Sequence, residues 1–229
     1  ASAVGITFVP GLEISTAFHH RGVHLLGYLP DPTDPPLVAA LDRILAGRTA
    51  RTPAIVSALR DHGIDITEDD VRRESGGSVA AGRPHVADAL VRLGHAGDRT
   101  QAFTDLLNPG KPGYANRYAV PLEEMIPLVT GAGGVAVIAH PWGRSGRSVL
   151  DAPALAGLRD LGLAGIEVDH QDHSEAERAE LRSLAADLDL IATGSSDHHG
   201  LGKVDHDLGV HTTDPEQYER LVSLASSSP

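Results

Sequence analysis

Cysteine is absent from all 229 residues. That removes disulfides, thiolate metal sites and a cysteine nucleophile together. Aromatic residues are scarce, at 3% with a single Trp and three Phe, so a row of stacking platforms for single-stranded nucleic acid is not expected. Basic residues are also in short supply: nineteen Lys and Arg stand against thirty-one Asp and Glu, a formal charge of −12. A broad non-specific nucleic-acid groove needs a basic face, which this balance argues against. A small phosphorylated ligand is not excluded, because metal ions can supply positive charge locally. No apolar run approaches the roughly 20 residues that span a bilayer. The opening "ASAVGITFVPG" lacks the basic region and longer apolar region of a signal peptide. The expectation is a cytoplasmic protein that does not engage membranes, long enough to bury a sizeable core.

What the chain has in excess is histidine, thirteen of them. Histidine's special uses are metal ligation and proton transfer. His19, His62, His95, His206 and His211 sit in polar surroundings and are expected at the solvated surface.

The first thirty residues read as two strands, "GITFVPGLEIS" and "GVHLLGYLP", and the Pro-rich "PDPTDPP" then punctuates the chain. From Leu37 to about Leu107 apolar residues recur at three- and four-residue spacings, as in "LVAALDRILAGRTARTPAIVSAL", which predicts helices. With strands on both flanks, this block reads as a helical insertion. After "GKPGYANRYAV" helices and strands alternate. "PLEEMIPLVTG", "APALAGLRDLG", "SEAERAELRSLAADL" and "DPEQYERLVSLA" suit helices; "GVAVIAH", "GIEVDH" and "LIATGSSDHH" suit strands. Ser174 with Glu177 makes a capping box, and Asp214 with Pro215 opens the last helix. The alternation predicts an α/β fold with parallel strands and right-handed crossovers.

Metal-capable residues collect at the ends of these strands. "VPGLEIST" leaves Glu13 near one end, "GVHLLGY" holds His24, and "VAVIAHP" runs straight into His140. "GIEVDHQDH" ends in Asp169, His170 and His173, and "LIATGSSDHHG" in Asp197 and His199. In parallel α/β folds the C-terminal strand ends share one face, where catalytic groups gather. Glu13, His140, Asp197 and His199 are therefore expected to meet there. Carboxylate oxygens mixed with imidazoles suit Mn²⁺, Fe²⁺ or Zn²⁺. Each residue also has a plain alternative: a strand-end His is commonly a hydrogen-bonded structural group, and His24 in its apolar run could be a satisfied core histidine. "GAGGVAV" lacks the order of a dinucleotide site, and Ser195 and Ser196 have no G-x-S-x-G elbow.

Taken in order, "VPGLEIST", "VHLLGY", "AGRPHVADAL", "GGVAVIAHP", "GIEV" and "TGSSDHHG" resemble the PHP (polymerase and histidinol phosphatase) metallophosphoesterases. The nearest branch acts on 3′,5′-nucleoside bisphosphates and short RNA 5′ ends. The resemblance implies a distorted (β/α)₇ barrel, with residues 1–30 and 119–229 forming the barrel and 31–118 a helical insertion serving as a substrate-binding cap. It implies a cluster of three ions, Mn²⁺ foremost with Fe²⁺ or Zn²⁺ as alternatives, held by Glu13, His24, His140, Asp197 and His199. His140, His199 and Asp197 would be the catalytic set. Arg83 and His85 of "GRPH", and Lys111 of "GKPGY", would bind the substrate phosphate. Asp169, His170 and His173 are not ligands in that family and are expected behind the ligands or at the surface.

The family opens with a His-x-His strand and an Asp-His pair, whereas here no histidine precedes His19. The chain is accordingly expected to be N-terminally truncated by about two βα units, roughly fifty to sixty residues, so that the barrel lacks its first strands. The implied activity is hydrolysis of a nucleoside 3′,5′-bisphosphate to the 5′-monophosphate. Alternatives are 5′-to-3′ trimming of short RNA, a histidinol or sugar phosphatase, and a non-catalytic binding module on the same fold.

Overall fold

The computed structural model describes residues 5–76, 82–116, 118–198 and 206–226. The chain divides into two compact units, Ala1–Leu41 with Ala119–Pro229, and Asp42–Tyr118. The first carries a mixed six-stranded sheet. It begins with β1 (Gly11–Phe18) and β2 (Arg21–Tyr28), joined by His19 and His20. Both linking residues have positive φ, 46° and 62°. A two-residue turn of that hand matches the twist of a hairpin and forces the strands antiparallel. Residues 6–10, expected within the first strand, lie outside it; the strand starts only after Pro10.

Four further strands complete the sheet: β3 (Val120–Pro121), β4 (Val135–Ile138), β5 (Leu163–Asp169) and β6 (Ile191–Gly194). Their order is β3-β1-β2-β4-β5-β6. β4, β5 and β6 are parallel, as the helix–strand alternation predicts, but β2 meets β4 antiparallel. The hairpin reverses β2 relative to β1, and β4 enters along the direction of β1, so β2 lies antiparallel to both of its neighbours. β1 and β2 alternate inward and outward residues, with Ile14, Thr16 and Phe18 buried on one strand and Val23 and Leu25 on the other. All four residues of β4 are buried, the pattern of a strand covered on both faces.

The helices in this unit are α5 (Leu122–Gly131), α6 (Ala152–Asp160), α7 (Glu175–Asp187) and α8 (Pro215–Ser226). The Ser174–Glu177 capping box opens α7 as expected: the Ser174 N–H and hydroxyl donate to Glu177 Oε2 at 2.8 and 2.7 Å. Asp214 accepts the Glu216 N–H at 2.8 Å ahead of α8. Leu221 of α8 packs on Val135, Val137 and Ile191 of the sheet.

Among its described residues, the second unit has only helical regular elements. It takes up most of α1 (Pro35–Asp61), then α2 (Glu68–Glu74), α3 (Arg83–Arg92) and α4 (Arg99–Ala102), the last continuing as a wider turn through Phe103–Leu107. Its own core joins Ile55 and Leu59 of α1, Val71 of α2, and Val86, Ala87, Ala89 and Leu90 of α3. Among the described residues no helix is long and apolar enough to cross a membrane.

Strand β5 approaches β6 closely at Gly165, where a Cβ would lie 2.6 Å from the Ile191 carbonyl oxygen and 3.0 Å from its Cβ. The Gly165→Ala variant is expected to lose roughly 1–3 kcal/mol of stability through this overpacking. Urea unfolding measures it. A midpoint equal to that of the parent protein would show that β6 can shift without cost.

Candidate metal centre

The site grows from the hairpin. Ser15 pairs with His24 and Glu13 with Leu26, so Glu13 and His24 are diagonal neighbours on one face, within reach of each other. Glu13 Oε1 contacts His24 Nδ1. The third member arrives from β4. The Ala139 N–H donates to the His24 carbonyl at 2.9 Å, which keeps the exit of β4 beside β2. His140 then breaks from the strand with φ of 29°, immediately before Pro141. A left-handed conformation is uncommon for a residue with a side chain and costs on the order of 1–3 kcal/mol. It aims His140 Nε2 at His24 Nδ1, 3.3 Å away. One carboxylate and two imidazole nitrogens thus stand with their ligand atoms all within 4.8 Å of one another.

Electrostatics favour the ligand forms of Glu13 and His140. The His24 hydrogen bond holds the Glu13 carboxyl below its ordinary range, against the opposing effect of burial. Burial, and then the neighbouring His24, lower the basicity of His140, favouring the neutral ring that ligates metal. A cleft of about 240 Å³ opens beside His24 and His140, along Pro141, Gly143 and Gly146.

A second group lies at the ends of β5 and β6: His170, Asp197 and His206, again with ligand atoms within 4.8 Å. Asp197, three residues past β6, also has a left-handed backbone, φ 48°. The rings of His140 and His170 lie 4.9 Å apart between centroids, so the two groups adjoin. Proton placement separates their members. His206 Nδ1 bonds the Ser196 carbonyl at 2.8 Å, which puts its proton there and leaves a lone pair on Nε2. His170 Nδ1 instead accepts the Asp172 N–H at 3.0 Å, so a neutral ring carries its proton on Nε2, 3.6 Å from Asp197 Oδ2. In that state His170 offers no lone pair to an ion, and its buried Nε2 makes no hydrogen bond.

Beneath both groups lies Glu167, 3% exposed, whose Oε2 accepts the His140 backbone N–H at 2.9 Å. Burial pushes its carboxyl up to about 8; the His140 bond opposes this, while Asp197, Glu13 and Asp172 add to it.

The structure brings Glu13, His24 and His140 together and sets Asp197 in the adjoining group, while His199 lies outside the described residues. Glu13 is the third residue of β1 rather than a strand-end residue; hairpin pairing, not a shared strand end, carries it to His24. Asp169 is paired with Arg182 at 2.6 Å. His173 is buried, with Nδ1 bonded to the Val168 carbonyl at 2.9 Å and Nε2 accepting the Trp142 N–H at 3.3 Å, which leaves no nitrogen for a ligand. His206, expected at the surface, is 7% exposed. Its burial comes from contacts eight and ten residues back, with His198 and Ser196, which its polar neighbours in sequence do not signal. Glu167 did leave a signal: a carboxylate inside the apolar strand "GIEV".

The expected phosphate residues belong to the helical unit. Arg83 opens α3, with its guanidinium 5.6 Å from the centre of the Phe103 ring. Asp88, on the same helix, is held by Arg99 in a bidentate pair at 2.8 and 2.6 Å. His85 Nδ1 accepts the Gly82 N–H at 3.0 Å and so caps its own helix. Lys111 is exposed.

The chain is 35% identical over 216 residues to a 3′,5′-nucleoside bisphosphate phosphatase of Chromobacterium violaceum, covering 93% of this chain and 75% of the relative. The chain belongs to the PHP-type phosphoesterase family. It is thus one of a family of metal-dependent hydrolases, and the Glu13–His24–His140 cluster fits that chemistry. The phosphoesterase is also 31% identical over 201 residues to a 5′-3′ exoribonuclease of Haemophilus influenzae, covering 87% of this chain and 72% of that protein. Among solved structures it matches one from Bifidobacterium adolescentis described as a metal-dependent phosphoesterase, with a TM-score of 0.80 and 32% identity over 97% of this chain and 78% of the other. A Chromobacterium violaceum amidohydrolase structure with bound sulfate matches at TM-score 0.75 and 31% identity, over 97% and 79% of the two chains. No family model matches the chain.

The buried Glu167 predicts a pH dependence in metal-free protein. Its folded pKa, about 8, lies above the ordinary glutamate value of 4.5, so the unfolded chain releases this proton first as pH rises. The contribution is therefore fully present below about pH 4.5 and is lost as pH climbs to 8. Glu167→Gln, which cannot ionise, is expected to gain stability over the parent protein at pH 8 relative to the difference at pH 4.5. Thermal unfolding in chelator at the two pH values measures the change; a constant difference would contradict it.

Proposed function

We propose that this enzyme hydrolyses a nucleoside 3′,5′-bisphosphate, releasing the 3′-phosphate and leaving the 5′-monophosphate. The observation that carries the reading is the Glu13–His24–His140 cluster beside an open cleft, in a chain 35% identical to a bisphosphate phosphatase. Glu13, His24 and His140 would hold one ion, and Asp197, together with His199, would hold others; three Mn²⁺ is the proposed complement, with Fe²⁺ or Zn²⁺ as alternatives. When bound, such ions supply Lewis acidity, neutralising phosphate charge and lowering the pKa of a water.

The chain's own groups do the rest. Glu13 and His24 share one face of the hairpin and present their ligand atoms together. A ring that serves as a ligand can deliver a proton only from its other nitrogen, so in this reading the leaving 3′-oxygen is protonated from the metal-free nitrogen of His140 or His199, with Asp197 orienting the cluster. Water adds to phosphorus, the bond to the 3′-oxygen breaks, and that oxygen takes the proton.

Arg83, with His85 and Lys111, is proposed to bind substrate phosphate. A helix N-terminus already favours an anion, and a guanidinium adds a bidentate fork. The finer architecture belongs to the same proposal: a (β/α)₇ barrel from residues 1–30 and 119–229, with 31–118 as a substrate-binding cap. So does a cytoplasmic location, which the absence of cysteine suits. The second reading, 5′-to-3′ trimming of short RNA, draws on the Haemophilus influenzae relative.

Phosphate release from adenosine 3′,5′-bisphosphate, from a 5′-phosphorylated RNA oligomer and from histidinol phosphate, each with Mn²⁺, ranks the substrates. The bisphosphate is expected to be turned over fastest. Release from none of them would sink the proposal and favour a non-catalytic binding module. Arg83→Ala is expected to lose roughly 2–4 kcal/mol of transition-state stabilisation with metal content unchanged. A kcat/KM within about threefold of the parent enzyme would rule out the phosphate role.

A further inference from the structure

We propose that Glu167 is the positioning residue for His140, its carboxyl oxygen holding the His140 backbone in the turn that brings the ring to His24. The inference rests on the reading of Glu13, His24 and His140 as a metal centre. β4 and β5 are paired in parallel through Ile138 and Ile166, and the ladder stops there. The next residue on β5 is Glu167; two residues past the end of β4 comes His140. Its N–H is taken by Glu167 Oε2 at 2.9 Å, a side chain standing where the ladder has ended. Released from the strand, His140 can adopt φ of 29°, and its ring comes within 3.3 Å of His24.

Two further features fit this role. Glu167 lies between Ile166 and Val168, both fully buried, and is itself 3% exposed, so the carboxylate is enclosed and its direction is set by packing. The pairing of β5 with β6 also slips between Glu167 and Asp169, an irregularity of the kind that re-aims a side chain. An apolar residue could fill this space without the cost of burying a carboxylate, but it could not accept the His140 N–H. A ligand is oriented by the groups behind it, and disturbing them commonly weakens metal binding about 10–100-fold.

Glu167→Gln keeps an oxygen acceptor at the same reach, whereas Glu167→Met keeps the bulk and removes it. Two measurements apply: hydrogen exchange of the His140 amide in metal-free protein, and the Mn²⁺ dissociation constant. With Met, His140 exchange is expected to speed up by roughly tenfold or more while the β2 amides stay protected, and Mn²⁺ affinity to fall about tenfold or more. Gln should restore both to within about threefold of the parent values. Glu167→Ala takes the place of Met if that variant does not fold. A Gln variant as impaired as Met, or parent-like His140 exchange without the acceptor, overturns the proposal. Should the parent protein bind no Mn²⁺, the metal reading fails, and His140 exchange alone decides whether Glu167 holds that backbone.

Discussion

Everything at the candidate centre is referred to β2. This strand is hydrogen-bonded to β1 on one side and to β4 on the other, both antiparallel, and His24 sits where those pairings meet. Across β1 it reaches Glu13; across β4 its carbonyl holds Ala139, one residue before His140. A slip of one residue in either pairing would turn His24 to the opposite face, where Val23 and Leu25 are buried. The apolar face of the hairpin therefore fixes the register, and the register fixes the donor set.

The site is costly to build. His140 and Asp197 both occupy left-handed backbone conformations, and the carboxyl of Glu167 is buried nearby. The expense is tolerable because it falls at the ends of well-packed strands, where Leu25, Ile138 and Ile166 are fully buried. Strained backbone persists only where the surroundings over-determine it, and such positions cluster at functional sites.

Charge points the same way. Glu167 feels Asp197, Glu13 and Asp172 together, each raising its pKa, in a chain already carrying −12. Those neighbours and its burial keep Glu167 protonated near neutral pH in the metal-free state, and bound cations would invert that balance. The histidines nearby do not substitute for such ions, because burial lowers the basicity of His140 and takes His170 down to about 4. A neutral imidazole cannot offset a carboxylate, but one with a free lone pair, such as that of His140, can share a metal with it.

Much of this was legible in the residues. The helical block, the Ser174–Glu177 cap and the apolar strand entering His140 are local patterns, and local patterns follow from propensity and spacing. Glu13, His24, His140 and Asp197 could be named because chemically exceptional residues interrupt apolar runs. Their partnerships could not. Whether β2 runs with or against β4 depends on a two-residue turn and on contacts more than a hundred residues apart. The burial of His206 depends on a segment ten residues away folding over it, and the tautomers of His170 and His206 on which backbone groups tertiary folding delivers to their rings. Sequence by itself determined which side chains could bind a metal and roughly which elements carry them. Only the tertiary structure decided which of them share a site, because distance, burial and proton placement belong to pairs of residues that the chain brings together late.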